Sequence, residues 1–384
     1  MSKGLPSVPL HEIATPVQRA VAVVPGNAYR TLGVKWWGEG AYERDIIDGS
    51  QTAAITLNEV REGDLIINKI WVRHGSVAIV GPKVDGCVGS NEFPTFDLNR
   101  RRVLPRWLHW YTKTRNLWQK CAALSQGTSG KNRIRPERFL SIDIPLPPLD
   151  EQRRIVTTIE GLAARIEECR AVHTEVVEDC AVLCRSILSN DPASPAILTP
   201  MSEMVSPRAP DVSVAADGIY HFAGVYCFGK GVFAGQRKTG LDFAYKNLTQ
   251  LRMGDFVYPK LMAWEGALGI VPSECDGLCV SPEYPVFSVN TERVLPEVLD
   301  VYFRSPPVWP QLAEISTGTN MRRRRLHPSS FLAFKMPLPP METQRRLREV
   351  KTRLDSLADV QSQSAAELDA LLPSILDKAF EGGL

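Results

Sequence analysis

Ile144-Pro145-Leu146-Pro147-Pro148-Leu149-Asp150-Glu151-Gln152-Arg153-Arg154 decides how this chain is put together, because it occurs twice. Its near copy, Met336-Pro337-Leu338-Pro339-Pro340-Met341-Glu342-Thr343-Gln344-Arg345-Arg346, lies 192 positions on. In each, proline fixes φ and restrains the residue before it, so the first half is extended. A helix can start directly afterwards: Asp150-Glu151 and Glu342-Thr343 put acidic or capping groups at the positive end of its dipole. Each copy therefore ends a globular unit and opens a long helix. The chain reads globule, helix, globule, helix.

Both helical segments carry a heptad seam. In the first, Ile155, Ile159, Leu162, Ile166, Cys169, His173, Val176, Cys180, Leu183 and Ile187 alternate at spacings of four and three. The second gives Leu347, Val350, Leu354, Leu357, Gln361, Ser364, Leu368, Leu371 and Ile375. Heptads sustained this long predict a coiled coil, each helix reaching ~50 Å at about 1.5 Å per residue. His173, Gln361 and Ser364 interrupt the apolar run and read as register control or as surface-leaning positions. Pro373 falls inside the second seam and predicts a kink, or a fresh short helix from Pro373 to Phe380. Asn190-Asp191-Pro192-Ala193-Ser194-Pro195 ends the first helix and links it to the second globule.

The globules are copies as well. Residues 29–128 align with 220–319 at an offset of 191 without a gap. Tyr29…Gly33-Val34…Gly38-x-Gly40 returns as Tyr220…Gly224-Val225…Gly229-x-Gly231. Ser90-x-Glu92-x-Pro94-x-Phe96 returns as Ser281-x-Glu283-x-Pro285-x-Phe287, and Val103-Leu104-Pro105 as Val294-Leu295-Pro296. Of the 43 positions from 63 to 105, 17 are identical, too many for a chance self-match. The change of offset to 192 requires one inserted residue between Thr319 and Phe331. Strands are predicted at 64–67, 77–80 and 256–258, between Gly-Asp and Gly-Pro turns, and helices at 106–124 and 297–315. The globules are mixed α/β and the chain is α+β.

At 384 residues, with 44% hydrophobic and 23% charged side chains, two domains with real cores are expected. No apolar run approaches the ~18 residues that span a bilayer, and Met1-Ser2-Lys3-Gly4-Leu5-Pro6 has no secretory core. Eight cysteines are too sparse for a disulfide scaffold. Cys180-x-x-x-Cys184 and Cys275-x-x-x-Cys279 lack zinc spacing, so buried thiols and a cytoplasmic location are expected. The net charge of +2 hides a split. Segment 150–191 holds 9 acidic and 5 basic residues and segment 341–384 holds 8 and 6, which leaves 34 basic against 26 acidic residues elsewhere. Basic globules suit a polyanion and acidic helices suit protein contacts.

Catalytic signals are missing. Gly224-Val225-Tyr226-Cys227-Phe228-Gly229-Lys230-Gly231 approaches a phosphate-binding loop, but Gly231 stands where Ser or Thr must hold magnesium, and the other copy has Glu39 for the Lys. A duplicated glycine turn is the better reading. No methyltransferase Asn/Asp-Pro-Pro-Tyr/Phe motif, nuclease carboxylate cluster or metal-spaced histidines are present, and no cofactor is expected. Asp64 and Lys69, with their copies Asp255 and Lys260, read as a turn aspartate before a strand and a strand-end lysine. The basic runs are more informative. Arg100-Arg101-Arg102 is one. Lys131, Arg133 and Arg135 follow Gly127-Thr128, as Arg322-Arg323-Arg324-Arg325 follow Gly318-Thr319. A basic cluster in the same loop of both copies points to phosphate contact.

With these residues in hand, the whole chain resembles the specificity (S) subunit of type I restriction–modification enzymes. The resemblance is carried by the two Pro-Leu-Pro-Pro motifs, by 254–287, and by Leu371-Leu372-Pro373-Ser374-Ile375-Leu376-Asp377-Lys378-Ala379-Phe380. It implies two target recognition domains, 1–148 and 191–340, and two spacer helices, 149–190 and 341–384, packed as an antiparallel coiled coil. It further implies double-stranded DNA, two methyltransferase (M) subunits and restriction/translocase (R) subunits as partners, no membrane, and a non-catalytic role in DNA methylation and phage defence. Thr343, where the first copy has Glu151, departs from the motif and weakens one cap. Two other readings are a self-contained DNA-modifying enzyme, which the missing cofactor motifs disfavour, and a coiled-coil adaptor without DNA specificity.

Overall fold

The computed structural model describes residues 5–125, 132–189, 196–318 and 324–383. The linker at 190–195 and the side chain of Gln361 lie outside the described residues. The chain divides into two compact units, Met1–Ala171 with Gln363–Leu384, and Val172–Ser362.

In the first unit, Ser7–Pro9 pairs antiparallel with Asp143–Pro145, the extended half of the opening motif, with Val8 opposite Ile144. A four-stranded antiparallel sheet runs in the order Ala14–Val17, Thr95–Leu98, Leu65–Ile67, Val77–Ile79. A five-stranded sheet runs Ala20–Ala22, Thr56–Glu59, Val88–Gly89, Ala28–Val34, Ala41–Asp48, with one parallel contact, Thr31 to Val88. The second unit repeats this order strand for strand. Even its single parallel contact, Phe222 to Cys279, falls at the equivalent residues.

Each predicted 106–124-type helix is broken in two. Pro105–Tyr111 and Arg115–Leu124 are separated because Thr114 turns out of the helix and caps the next one, its hydroxyl accepting from the Leu117 N–H at 3.4 Å. In the second copy, Pro296–Phe303 and Trp309–Glu314 are divided at Pro306-Pro307, which cannot continue the helix.

The long helices are Leu149–Ser189 and Met341–Glu381. Within the first unit, Ile155, Val156 and Ile159 share a core with Leu376, Ala379 and Phe380, while Arg170 meets Asp369 at 2.6 Å. Early residues of one helix thus face late residues of the other, and the pair is antiparallel. Within the second unit the same relation holds: Cys184, Ile187 and Leu188 share a core with Leu347 and Leu354. The seam keeps Ile155, Ile159, Ile166 and Leu347 buried and Leu162, Val350 and Leu354 partly so. Leu357, assigned to the seam by strict heptads, is 56% exposed, and Cys184 and Leu376 are buried where the heptads chose Leu183 and Ile375. A straight helix turns every 3.6 residues and drifts from a 3.5 repeat. The helix runs through Pro373, so no fresh helix starts there. Asp369, whose carbonyl loses its partner, is exposed on the same face, where water can satisfy it.

The glutamine of each motif, buried at 0% and 1% exposure, locks helix to globule. Gln152 Oε1 accepts from the Leu104 N–H at 2.9 Å, and its Nε2 donates to the carbonyls of Arg102 at 2.9 Å and Pro147 at 2.8 Å. Gln344 makes the same three bonds to Leu295, Arg293 and Pro339 at 2.9, 3.2 and 2.9 Å. The two repeated sequence signatures, Val-Leu-Pro and Leu-Pro-Pro-x-x-x-Gln, are the two halves of this joint.

Candidate nucleic-acid interface

The basic loop of each copy returns to the sheet at one fixed point. The Ile134 N–H donates to the Lys69 carbonyl at 3.0 Å, and the Lys69 N–H donates to the Glu92 carbonyl at 3.0 Å. This ladder sets Arg133 beside Glu92, and the two form a fork: Nη2 to Oε1 at 3.0 Å and Nε to Oε2 at 3.3 Å. In the second copy the Leu326 N–H donates to Lys260 at 2.8 Å and Lys260 to Glu283 at 2.9 Å, and Arg325 pairs with Glu283 at 2.9 Å. Arg133 and Arg325 therefore occupy one structural position, which places the inserted residue ahead of Arg325. The arginine side chains are 52% and 45% exposed. Pairs that wet are worth roughly 0–1 kcal/mol, so they orient the arginines more than they stabilise the fold.

In the first copy a cavity of about 340 Å³ is lined by Gln18, Asn58, Asn91, Phe93, Thr95 and Pro136, Asn91 and Phe93 being the sequence neighbours of Glu92. Asn58 donates to Asn91 Oδ1 at 3.2 Å. Amides and arginines are the groups that read base edges. In the second copy the positions of Asn58 and Asn91 hold Thr249 and Pro282. One frame thus presents different chemistry in its two copies.

The remaining candidates are spread. Arg135 is exposed and precedes the helix Pro136–Leu140, and Arg324 donates to the Ala313 carbonyl at 3.4 Å. Lys131, Arg322 and Arg323 lie outside the described residues. The run 100–102 is not part of the loop site. Arg100 donates to the Glu62 carbonyl at 3.3 Å and lines a separate cavity of about 630 Å³ with Arg106 and His109. Arg102 pairs with Glu12 at 2.9 Å, and its copy Arg293 pairs with Glu203 at 3.1 Å. Arg101 is exposed.

Asp64 is buried and held by Arg19, at 2.5 and 3.1 Å, and it also accepts the Arg61 N–H. Asp255 is held by Arg208, which also meets Asp211. Burial raises the Asp255 pKa against the pull of the Arg252 N–H and Arg208. These are structural ion pairs. The glycine-rich segments form hairpin turns, Tyr226 pairing with Gly231. Trp37 and Phe228, at φ +57° and +61°, hold the strained left-handed position of each tip. Both tips are clipped to a second turn at Gly75 and Gly266, where a Cβ would collide with Trp118 or Trp309 at 2.7 or 2.4 Å.

Glu92, Glu283, Gln152 and Gln344 received no role from the sequence, although each stands in a repeated motif. Asn58 and Asn91 left no signal, because the copies differ there. Among the described residues no group of side chains could hold a metal ion, and no helix is long and apolar enough to cross a membrane.

No family model matches the chain. It is 22% identical over 302 residues to the type I restriction enzyme EcoKI specificity subunit of Escherichia coli K12. That match covers 71% of this chain and 64% of the relative, so it spans less than two thirds of the relative's length. The fold is shared with the HsdS subunit of Thermoanaerobacter tengcongensis, at TM-score 0.53 and 22% identity over 99% of this chain and 97% of the other. It is also shared, at TM-score 0.66 and 22% identity over 99% and 98%, with a chain solved for the complex assembly and conformational transition of the type I R-M system. The resemblance drawn from the sequence is thus to the same kind of protein as the curated relative, and the paired mixed α/β domains with their long helices are the fold of these solved chains.

Proposed function

We propose that the chain is the non-catalytic specificity subunit of a type I restriction–modification complex, reading a bipartite duplex target through two recognition domains. The observation that carries this reading is the duplicated loop site. The same arginine–glutamate pair stands in both copies, while the side chains around it differ, as two readers of different half-sites require. Residues 1–148 and 191–340 are the recognition domains; 149–190 and 341–384 are the spacer helices. Phosphate contact falls to Arg133, Arg135, Arg324 and Arg325, with Lys131, Arg322 and Arg323. Arg100, Arg101 and Arg102, outside the loop, are further candidates for phosphate contact, and the Arg102 carbonyl also serves the joint between helix and globule. Two methyltransferase subunits and the restriction/translocase subunits dock on this frame and supply the chemistry.

Replacing residues 1–148 with the corresponding domain of another specificity subunit tests the reading. Sequencing of methylated sites should show one half-site changed and the other retained. A change in both halves or in neither refutes it. Methyl transfer by the purified chain with S-adenosylmethionine would instead favour a self-contained enzyme, and failure to bind any duplex would favour an adaptor.

A further inference from the structure

We propose that Glu92 and Glu283 are specificity-determining residues: each occupies an arginine of the basic loop as a stand-in for phosphate and so suppresses binding to non-target DNA. The inference rests on the DNA-recognition reading above and goes beyond it. A carboxylate fork offers an arginine the same two parallel acceptors that a phosphate offers. Arg133 meets both oxygens of Glu92, at 3.0 and 3.3 Å, and Arg325 meets Glu283 at 2.9 Å.

The placement is built by the backbone rather than by side-chain chance. In both copies the N–H of the residue after the arginine bonds the strand-end lysine, whose own N–H bonds the glutamate's carbonyl. All four side chains are about one third to one half exposed, so a phosphate can take the carboxylate's place without opening the fold. Exchanging a carboxylate for a phosphate gains little, and the released glutamate then repels the DNA backbone. On a random duplex Arg133 and Arg325 therefore contribute almost nothing. On a target site, contacts from neighbouring groups offset the exchange.

The test is binding of the full chain to a random 40-base-pair duplex across a salt series, read by fluorescence anisotropy. The double variant Glu92→Gln/Glu283→Gln should bind roughly tenfold tighter near 0.1 M salt. Its slope of log K against log salt should steepen by about 0.9 per freed arginine. Adding Arg133→Gln/Arg325→Gln should return the slope to that of the wild type. The charge-matched control Glu137→Gln/Asp217→Asn, at exposed carboxylates without an ion pair among the described residues, should leave it unchanged.

An unchanged slope in the glutamate variant overturns the proposal. So does a gain equal to that of the control, a gain that survives removal of the arginines, or loss of folding in the glutamate variant, which would make the pairs structural. If the wild type binds no duplex even at low salt, the recognition reading fails together with this one. If it binds and only the slope prediction fails, the recognition reading stands.

Discussion

Gln152→Leu should loosen the first long helix from its globule. The substitution removes three hydrogen bonds and strands two groups, the Leu104 N–H and the buried Pro147 carbonyl. An orphaned buried polar group costs about 1–3 kcal/mol, so the pair together costs about 3 kcal/mol once the added apolar contact is allowed for. A unit of roughly 190 residues loses about 2–4 °C in Tm per kcal/mol. The melting temperature of the first unit should therefore fall by roughly 6–12 °C. Gln152→Glu keeps the acceptor for Leu104 but turns an oxygen toward two carbonyls, so it should be at least as harmful at neutral pH. Calorimetry of the full chain, with hydrogen exchange followed at 102–105 and 147–152, reads both effects. Gln344→Leu should act alike on the second unit, since its bonds repeat those of Gln152. A Gln152→Leu melting curve within about 2 °C of wild type would refute the joint.

Pro373→Ala should stabilise the first unit by about 1–3 kcal/mol, because proline is about 3 kcal/mol worse than alanine inside a helix; thermal melting checks it, and a loss of stability would mean that the proline serves packing. Burial, with Lys113 nearby, lowers the His109 pKa to about 4. The folded state then binds fewer protons than the unfolded one between about 4 and 6.5, so stability is lost as pH falls through that window. At 1.36 kcal/mol per pKa unit, discounted for partial exposure, the loss is about 2 kcal/mol at pH 4.5, and His109→Gln should remove that share from the urea midpoints. Tyr258 is wholly buried, and its hydroxyl has no hydrogen-bond partner among the described residues. Tyr258→Phe should hold or raise the stability of the second unit, by about 1 kcal/mol, whereas a clear drop in its melting temperature would reveal a partner for the hydroxyl.

Much of the fold was legible because the chain states it twice. The repeated proline motif marked both helix starts, and the aligned Gly-Asp, Ser-x-Glu and Val-Leu-Pro signatures marked the duplicated sheets. What escaped depends on pairs distant in sequence. Gln152 meets Leu104 and Arg133 meets Glu92, 48 and 41 residues apart, and periodicity carries no trace of such pairs. Ile155 and Ile159 are buried, whereas Leu183 and Leu357, further along the same repeat, are exposed, where a 3.5 repeat and a 3.6 helix diverge. The break at 112–114 was hidden because Thr114 is an ordinary residue until its hydroxyl finds the Leu117 N–H. The strained tips at Trp37 and Phe228 ran against expectation, since a bulky aromatic is a poor choice at positive φ.

The first unit is closed by residues from far along the chain, and this gives synthesis an order. Phe380 lies 4.6 Å from Trp107 and 5.1 Å from Tyr111, ring centre to ring centre. Until that segment leaves the ribosome, the two aromatic side chains have no lid. At about 5–20 residues per second, the roughly 200 residues between Ala171 and Phe380 take about 10–40 s to make. The second unit, built from the uninterrupted span Val172–Ser362, has all its residues before then. The part synthesised first is therefore the part completed last, with an apolar face open to chaperones throughout the interval.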